Sequence, residues 1–179
     1  MTREPSLHIV SGAPGTGKTT VLRSIGPGFT LVPEPARSII RAWRSEHGTD
    51  GQPPADLFVA ALLETSIDDH QTASGSRRTV VFDRGIPDCI AYAIHFGVDP
   101  TAAIDASRRL RYHPEVVVMR PWRQILTTDD MRRMTFEMVE AFDVAIDEAY
   151  DIAGYELVDV PRMPVDRRAA WIAQRLTGS

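Results

Sequence analysis

Lysine and cysteine are nearly absent from this chain. Its 20 basic residues include a single lysine, Lys18, and all the others are arginine. The one cysteine, Cys89, excludes an internal disulfide and is typical of a reducing compartment, so we expect a cytoplasmic protein. No run of about 18 apolar residues occurs, and we therefore expect no membrane span.

Other absences narrow the class of function. The net charge of −4 and the scattered arginines give no reason to expect nucleic-acid binding. The five histidines and the one cysteine lack the spacing of a zinc site, and there is no Gly-x-Ser-x-Gly element. With 179 residues and 43% hydrophobic content, the sequence predicts one globular domain over 1–179.

The clearest motif in the sequence surrounds the single lysine. The stretch around Lys18 matches the phosphate-loop (P-loop) pattern G-x-x-x-x-G-K-[ST] without a mismatch. The backbone N–H groups of such a loop wrap a phosphate, and the lysine ammonium is a compact charge for the outer phosphates. The predicted nucleotide-binding residues are Gly12, Ala13, Pro14, Gly15, Thr16, Gly17, Lys18, Thr19 and Thr20.

Short apolar runs alternate with helical patterns along the rest of the chain. Continuous apolar runs such as 80–82 and 116–119 suit parallel strands that are covered on both faces. The predicted strands are 7–11, 29–33, 79–83, 115–119 and 155–160. The predicted helices are 17–25, 35–46, 54–74, 86–97, 101–111, 130–153 and 165–177. This alternation predicts an α/β fold with a parallel sheet.

Two residues are candidate ligands for Mg²⁺. The hydroxyl of Thr19 directly follows the P-loop lysine, where such a hydroxyl binds the metal. Asp83 ends a buried predicted strand. In a P-loop kinase, which transfers a phosphoryl group from a nucleotide to an acceptor hydroxyl, it would supply an acidic anchor for Mg²⁺ or contact the acceptor. The alternative is that Asp83 caps the helix after Gly85.

Glu34 is the second acidic candidate. It follows the second predicted strand, and parallel strands end at one edge of a sheet, so Glu34 and Asp83 should face the same cleft. One carboxylate would bind Mg²⁺ while the other aligns an acceptor hydroxyl, and both assignments stay open. The alternative is that Glu34 pairs with Arg37 at a helix start. Arg37 and Asp88 are weaker candidates for contacts to the acceptor.

A lid is predicted at about 122–135. It contains Arg132 and Arg133, whose guanidinium groups would reach the transferring phosphoryl group when the segment closes. The alternative is a solvated helix start capped by Asp129.

Several segments outside the P-loop form a recognisable combination. They are 32–37, 82–88, 121–122, 129–133, 158–161 and 165–168. Together with the P-loop they resemble a family of small AAA-type P-loop proteins related to the ribosylnicotinamide kinase domain of bacterial NAD regulators. The Glu-Pro and Asp-Arg elements are similar to those of deoxynucleoside kinases as well. The resemblance implies a three-layer α/β/α P-loop NTPase fold whose five-stranded parallel sheet has the order 2-3-1-4-5.

The same resemblance implies roles for individual residues. Glu34 becomes the candidate base, Asp83 and Arg84 lie near Mg²⁺ and the acceptor, and Arg132 and Arg133 belong to the lid. The loop after the last strand would place Arg162 at the adenine. One departure is that Asp-Arg-Gly at 83–85 replaces the Glu-Arg-Ser-like form of deoxynucleoside kinases, so the acceptor need not be a deoxynucleoside.

Three functions fit these observations. The first is an Mg²⁺- and ATP-dependent phosphotransferase that acts on a hydroxyl of a nucleoside-like or other small metabolite. The second is a nucleotide-binding switch that hydrolyses slowly and acts through a protein or lipid partner. The third is an antibiotic or natural-product kinase. A guanine-specific Asn-Lys-x-Asp motif cannot exist when Lys18 is the only lysine, which favours ATP and the kinase. The sequence predicts neither the acceptor nor an oligomeric state.

Overall fold

The computed structural model describes residues 6–125 and 135–178. Its sheet contains five parallel strands in the order β2-β3-β1-β4-β5, which confirms the predicted fold class and strand order. The strands are β1 Leu7–Ser11, β2 Thr30–Val32, β3 Val80–Asp83, β4 Glu115–Val118 and β5 Glu156–Asp159. Each agrees with its prediction to within one residue at either end.

Helices cover both faces of this sheet. They are α1 Lys18–Leu22, α2 Ala36–His47, α3 Ala55–Ala73, α4 Ile86–Phe96, α5 Thr101–Arg109, α6 Phe136–Ala153 and α7 Val165–Gly178, with a 3₁₀ turn at Arg123–Ile125. Of the described helices, α2, α3, α4, α5 and α7 agree with their predictions to within two residues. No helix in the described ranges is both long enough and apolar enough to cross a bilayer.

Two helix predictions were wrong at their ends. The helix predicted over 17–25 is α-helical only for Lys18–Leu22, and its last turn tightens because Ser24 N–H donates to Val21 O at 2.9 Å, three residues back. The helix predicted over 130–153 begins at Phe136. Thr135 lies outside it with extended backbone and caps it, its Oγ1 accepting from Met138 N–H at 3.3 Å.

The continuous apolar runs reflect two cores, one on each face of the sheet. In β3, Phe82 packs into the larger core, with α3, α4 and α6, while Val81 packs into the smaller one, with α1 and α7. Ile9 and Val10 divide in the same way in β1. Successive strand residues point to opposite faces, so a strand buried on both faces must be apolar at every position.

The sheet register brings the ends of the strands together. Val10 pairs with Asp83, and Val32 pairs with Phe82. The loop after β1, the residues after β2 and the end of β3 therefore share one edge of the sheet, where parallel α/β folds form their ligand sites.

Candidate active site

The loop after β1 has backbone geometry that only glycine adopts freely. Gly12 has φ 136° and passes so close to the residue after β4 that a Cβ there would lie 2.2 Å from Met119 O. Gly17, just before α1, has φ 82°. An L side chain at either position would be strained, and at Gly12 it would also clash with backbone, so both glycines are needed to form this loop.

Lys18 lies folded against the loop that it follows. Its Nζ donates to Gly12 O at 2.8 Å and to Ala13 O at 3.2 Å, and the residue is 6% exposed. Thr16 Oγ1 donates to the same Ala13 O at 3.0 Å. The ammonium therefore stays at the loop, where a bound polyphosphate would meet it.

Thr19 and Asp83 are in direct contact. Thr19 Oγ1 donates to Asp83 Oδ2 at 2.7 Å, and Asp83 is almost completely buried. Burial raises the pKa of the Asp83 carboxyl, although Lys18 pulls it down. The alternative role as a cap is not observed, because Gly85 precedes α4 and its N–H is bound by Asp88 Oδ2 at 2.9 Å.

The Thr19 and Asp83 pair fits a Mg²⁺ ion. Asp83 Oδ1 is buried and has no hydrogen-bond partner within the described residues, so one carboxylate oxygen remains for a further ligand. The described residues contain no group of three or more His, Cys, Asp or Glu that could hold a metal. Magnesium characteristically takes only one or two protein oxygens and completes its shell with phosphate and water, which is what this pair could offer.

Arg84 connects the acidic candidates to one another. Its Nε donates to Glu34 Oε1 at 2.8 Å, and its Nη1 donates to Asp88 Oδ1 at 2.9 Å. The guanidinium also lies 5.6 Å from the ring centre of Tyr92 and 5.5 Å from that of Phe142. Burial disfavours its charge, but Tyr92, Glu34 and Asp88 raise the pKa of Arg84 overall, so it remains a cation.

The backbone of Arg84 is unusual as well. Its φ of 77° is positive, and no other non-glycine residue among those described has a positive φ. Its N–H donates to Val10 O at 3.1 Å, which continues the β1–β3 pairing beyond the strand end. A left-handed arginine is held only where its surroundings require it, and such positions cluster at functional sites.

Asp88 lies behind this cation. It is 1% exposed and accepts from Ser11 Oγ and Tyr150 OH, each at 2.6 Å, in addition to Arg84 and Gly85. Asp88 therefore anchors Arg84, and Arg84 in turn binds Glu34.

A cleft of about 380 Å³ opens beside Thr19 and Asp83. Four of the predicted site residues share its wall, namely Thr19, Glu34, Arg37 and Asp83. The remaining lining residues are Arg23, Pro33, Pro35, Ser38, Arg41, Thr65 and Asp69. Arg84 and Asp88 do not line this cleft but lie behind Glu34.

The other predicted residues lie elsewhere. Arg162, on the loop after β5, donates from Nη2 to Pro121 O at 3.4 Å, so this loop lies beside the residues that follow β4. Arg132, Arg133 and the proposed cap Asp129 lie outside the described residues.

Sequence reasoning missed two arginines at this edge of the sheet. Arg120 contacts three aspartates, Asp143 at 3.2 Å, Asp147 at 2.7 Å and Asp159 at 2.8 Å. It follows β4 within two residues, so the strand-end rule that found Asp83 could have found it. Arg168, from α7, donates from Nη1 to Thr16 O at 3.2 Å; segment 165–168 belongs to the family resemblance, but the resemblance gave Arg168 no role.

A parallel sheet in this order, with a G-x-x-x-x-G-K-T loop between β1 and α1, defines a P-loop nucleotide-binding fold. A family model described as an AAA domain matches residues 7–168, and the chain therefore belongs to this AAA domain family. No curated protein matches the sequence.

Solved structures of other proteins, including two kinases, share the fold. The NadR protein in complex with NR superposes with a TM-score of 0.73 at 17% identity over 98% of this chain and 52% of that chain. The present chain thus spans about half the length of the NadR protein. Thymidylate kinase from Candida albicans gives 0.66 at 13% identity, over 98% of this chain and 92% of that one. Deoxyadenosine kinase from M. mycoides superposes with a TM-score of 0.64 at 13% identity, over 96% of this chain and 98% of that chain.

Proposed function

We propose that this protein is an ATP-dependent phosphotransferase that phosphorylates a hydroxyl group of a small molecule. The observation that carries the proposal is the shared cleft, which is lined by a P-loop hydroxyl, a buried strand-end carboxylate and Glu34. Phosphoryl transfer needs little covalent chemistry from the protein. It needs positioning and charge stabilisation, which these groups would provide.

Magnesium would be bound by Thr19 and Asp83 together with phosphate oxygens. The ion would neutralise the charge that develops on the transferring phosphoryl group. Lys18 would leave its carbonyl partners for the outer phosphates, which are stronger acceptors because they are charged. Arg132 and Arg133 from the lid, and Arg162 at the adenine, complete the proposed nucleotide site.

Glu34 is proposed to align the acceptor hydroxyl. Asp83 already accepts from Thr19 on the metal side, whereas Glu34, which lines the same cleft, is fixed by Arg84. The pair to Arg84 holds one carboxylate oxygen at a defined place, which is what orienting a hydroxyl requires. Asp88 would then act through Arg84 and would not touch the acceptor.

The cleft favours a small polar acceptor. A volume of about 380 Å³ suits a metabolite. Its wall carries both signs of charge, since Arg23, Arg37 and Arg41 line it together with Glu34 and Asp69. Such a wall would bind a molecule with several hydroxyl or charged groups.

ADP release from Mg·ATP tests the proposal across a panel of acceptors. The panel would contain nucleosides, nicotinamide riboside, thymidylate, aminoglycosides and other hydroxylated metabolites, and mass spectrometry would identify each product. We expect one acceptor class to stimulate ADP release and to gain a phosphate. Lys18→Met should lower the rate by orders of magnitude while the fold survives, which controls for a contaminating kinase. Slow hydrolysis that no acceptor stimulates would contradict the proposal and favour a nucleotide switch.

A further inference from the structure

Arg168 lies against the P-loop although it comes from the far end of the chain. Its Nη1 donates to Thr16 O at 3.2 Å, and both Nη1 and Nη2 would lie 3.7 Å from a Cβ built on Gly17. The next residue, Ala169, and Ile172 one turn on are buried in the core that α7 shares with α1. This packing fixes which side of α7 faces the loop.

The guanidinium of Arg168 brings a buried positive charge to this place. The residue is 6% exposed, and its Nε has no hydrogen-bond partner in the part of the chain that the structure describes. Burial lowers the pKa of Arg168, and no charged neighbour within that part offsets the effect. A buried cation without a counter-charge is costly in the free protein. An anion bound on the P-loop would supply a counter-charge that the described residues do not provide.

The hydrogen bond to Thr16 O also sets the direction of the next peptide N–H. In a trans peptide the C=O and the N–H point in opposite directions. Because Arg168 holds the Thr16 carbonyl toward α7, the N–H of Gly17 points away from α7. A charged donor on the carbonyl also polarises the peptide and strengthens the N–H as a donor. In P-loops, the backbone N–H groups hold the phosphates.

We propose that Arg168 is a positioning residue of the nucleotide site, which orients the Thr16–Gly17 peptide for a polyphosphate and gains its counter-charge when the polyphosphate binds. The ligand class is a nucleoside di- or triphosphate. This inference rests on the proposed nucleotide-binding function. The first turn of α7 thereby becomes part of the nucleotide site. Arg168 lies 152 residues away in sequence from Thr16, whose carbonyl it holds.

The test compares Mg·ADP binding by calorimetry with the melting temperature of the free protein, for wild type, Arg168→Met and Arg168→Lys. The matched control is Arg167→Met, since Arg167 is the exposed neighbour on the same helix. We expect Arg168→Met to weaken ADP binding about tenfold or more, as loss of a charged hydrogen bond would. Its free form should melt no more than about 2 °C below wild type, because an unbalanced buried charge has been removed. Arg168→Lys should recover part of the affinity, and Arg167→Met should match wild type.

Three results would overturn the inference. The first is a loss of ADP affinity smaller than tenfold in Arg168→Met. The second is a larger loss with a lower melting temperature and no recovery by lysine, which would make Arg168 a brace of the fold. The third is a wild-type protein that does not bind Mg·ADP, which would remove the proposed function itself and so differs from the other two. If Arg168→Met does not fold, Arg168→Gln, which keeps a donor without the charge, replaces it with the same expectation.

Discussion

Thr19 Oγ1 donates a hydrogen bond to Asp83 Oδ2 at 2.7 Å, which joins the start of α1 to the end of β3. The two residues are 64 positions apart in sequence, and the β1–β3 register brings them together by pairing Val10 with Asp83. The contact places a hydroxyl and a carboxylate side by side next to the P-loop. The proposed metal site depends on this contact.

Replacing Asp83 with Asn should separate metal-dependent from metal-independent nucleotide binding. The amide keeps the shape of the side chain but removes the negative charge that would hold Mg²⁺. We expect ADP affinity in the presence of Mg²⁺ to fall at least about tenfold, while affinity in EDTA changes little. Calorimetric titrations with and without Mg²⁺ measure both. Thr19→Ser, which retains the hydroxyl, is the control and should bind like wild type. Equal losses with and without Mg²⁺ in Asp83→Asn would contradict a metal role.

Glu34→Gln should affect turnover and leave nucleotide binding intact. The amide cannot take a proton from an acceptor hydroxyl, and loss of such general-base alignment typically costs about 10²- to 10⁴-fold in rate. Steady-state ADP release with a saturating acceptor measures the rate, and Mg·ADP titration measures binding. Asp69→Asn is the control, because Asp69 lines the same cleft without being one of the residues proposed to act on the hydroxyl. The role of Glu34 would be ruled out if both variants lowered turnover equally.

Gly12→Ala should abolish nucleotide binding. The added Cβ would meet Met119 O at 2.2 Å, and the φ of 136° is one that alanine rarely adopts, so the loop must move. We expect no detectable Mg·ADP binding by calorimetry and a lower melting temperature. Gly75→Ala is the matched control, because a Cβ there meets nothing within 4 Å. Wild-type affinity in Gly12→Ala would show that this loop does not form the phosphate site.

The sequence could predict the sheet well because β1, β3 and β4 are buried on both faces and leave few other interpretations. The P-loop was equally readable, since its glycines and Lys18 form a local pattern. The strand-end rule placed Glu34 and Asp83 at one edge, and both line the same cleft.

Other parts of the site could not be read in this way. The anchor of Arg84 depends on Tyr150, which lies 62 residues beyond Asp88, and the contact of Arg168 spans 152 residues. Neither pair leaves a local pattern, since such contacts are fixed only by how α6 and α7 pack. The start of α6 was misplaced because Asp129 and Thr135 are both acceptable caps by sequence. Only the structure shows that Thr135 caps the helix.

Tyr150→Phe should destabilise the protein through Asp88. Tyr150 is fully buried and donates to Asp88 Oδ2 at 2.6 Å, so phenylalanine leaves a buried carboxylate oxygen with one donor fewer. We expect the free energy of unfolding in urea to fall by about 1–3 kcal/mol. Tyr155→Phe is the comparison, because the Tyr155 hydroxyl accepts from an uncharged donor, the backbone N–H of Tyr112, at 3.1 Å. The free energy of unfolding should fall less in Tyr155→Phe than in Tyr150→Phe. A larger loss in Tyr155→Phe would contradict the anchoring role of Asp88.

The Cys89 thiol should be unreactive in the folded protein. Burial raises its pKa to about 12, and the residue is fully enclosed at the base of α4. Only the thiolate reacts, and at pH 8 a thiol with that pKa is ionised in only about one molecule in ten thousand. We expect no reaction with a disulfide reagent over hours at pH 8 and one equivalent of rapid reaction in guanidinium chloride. The denatured sample is the control for a thiol already oxidised. Fast labelling of the native protein would show that α4 opens readily, and since Asp88 lies on the same helix, it would also mean that the Arg84 anchor is not rigid.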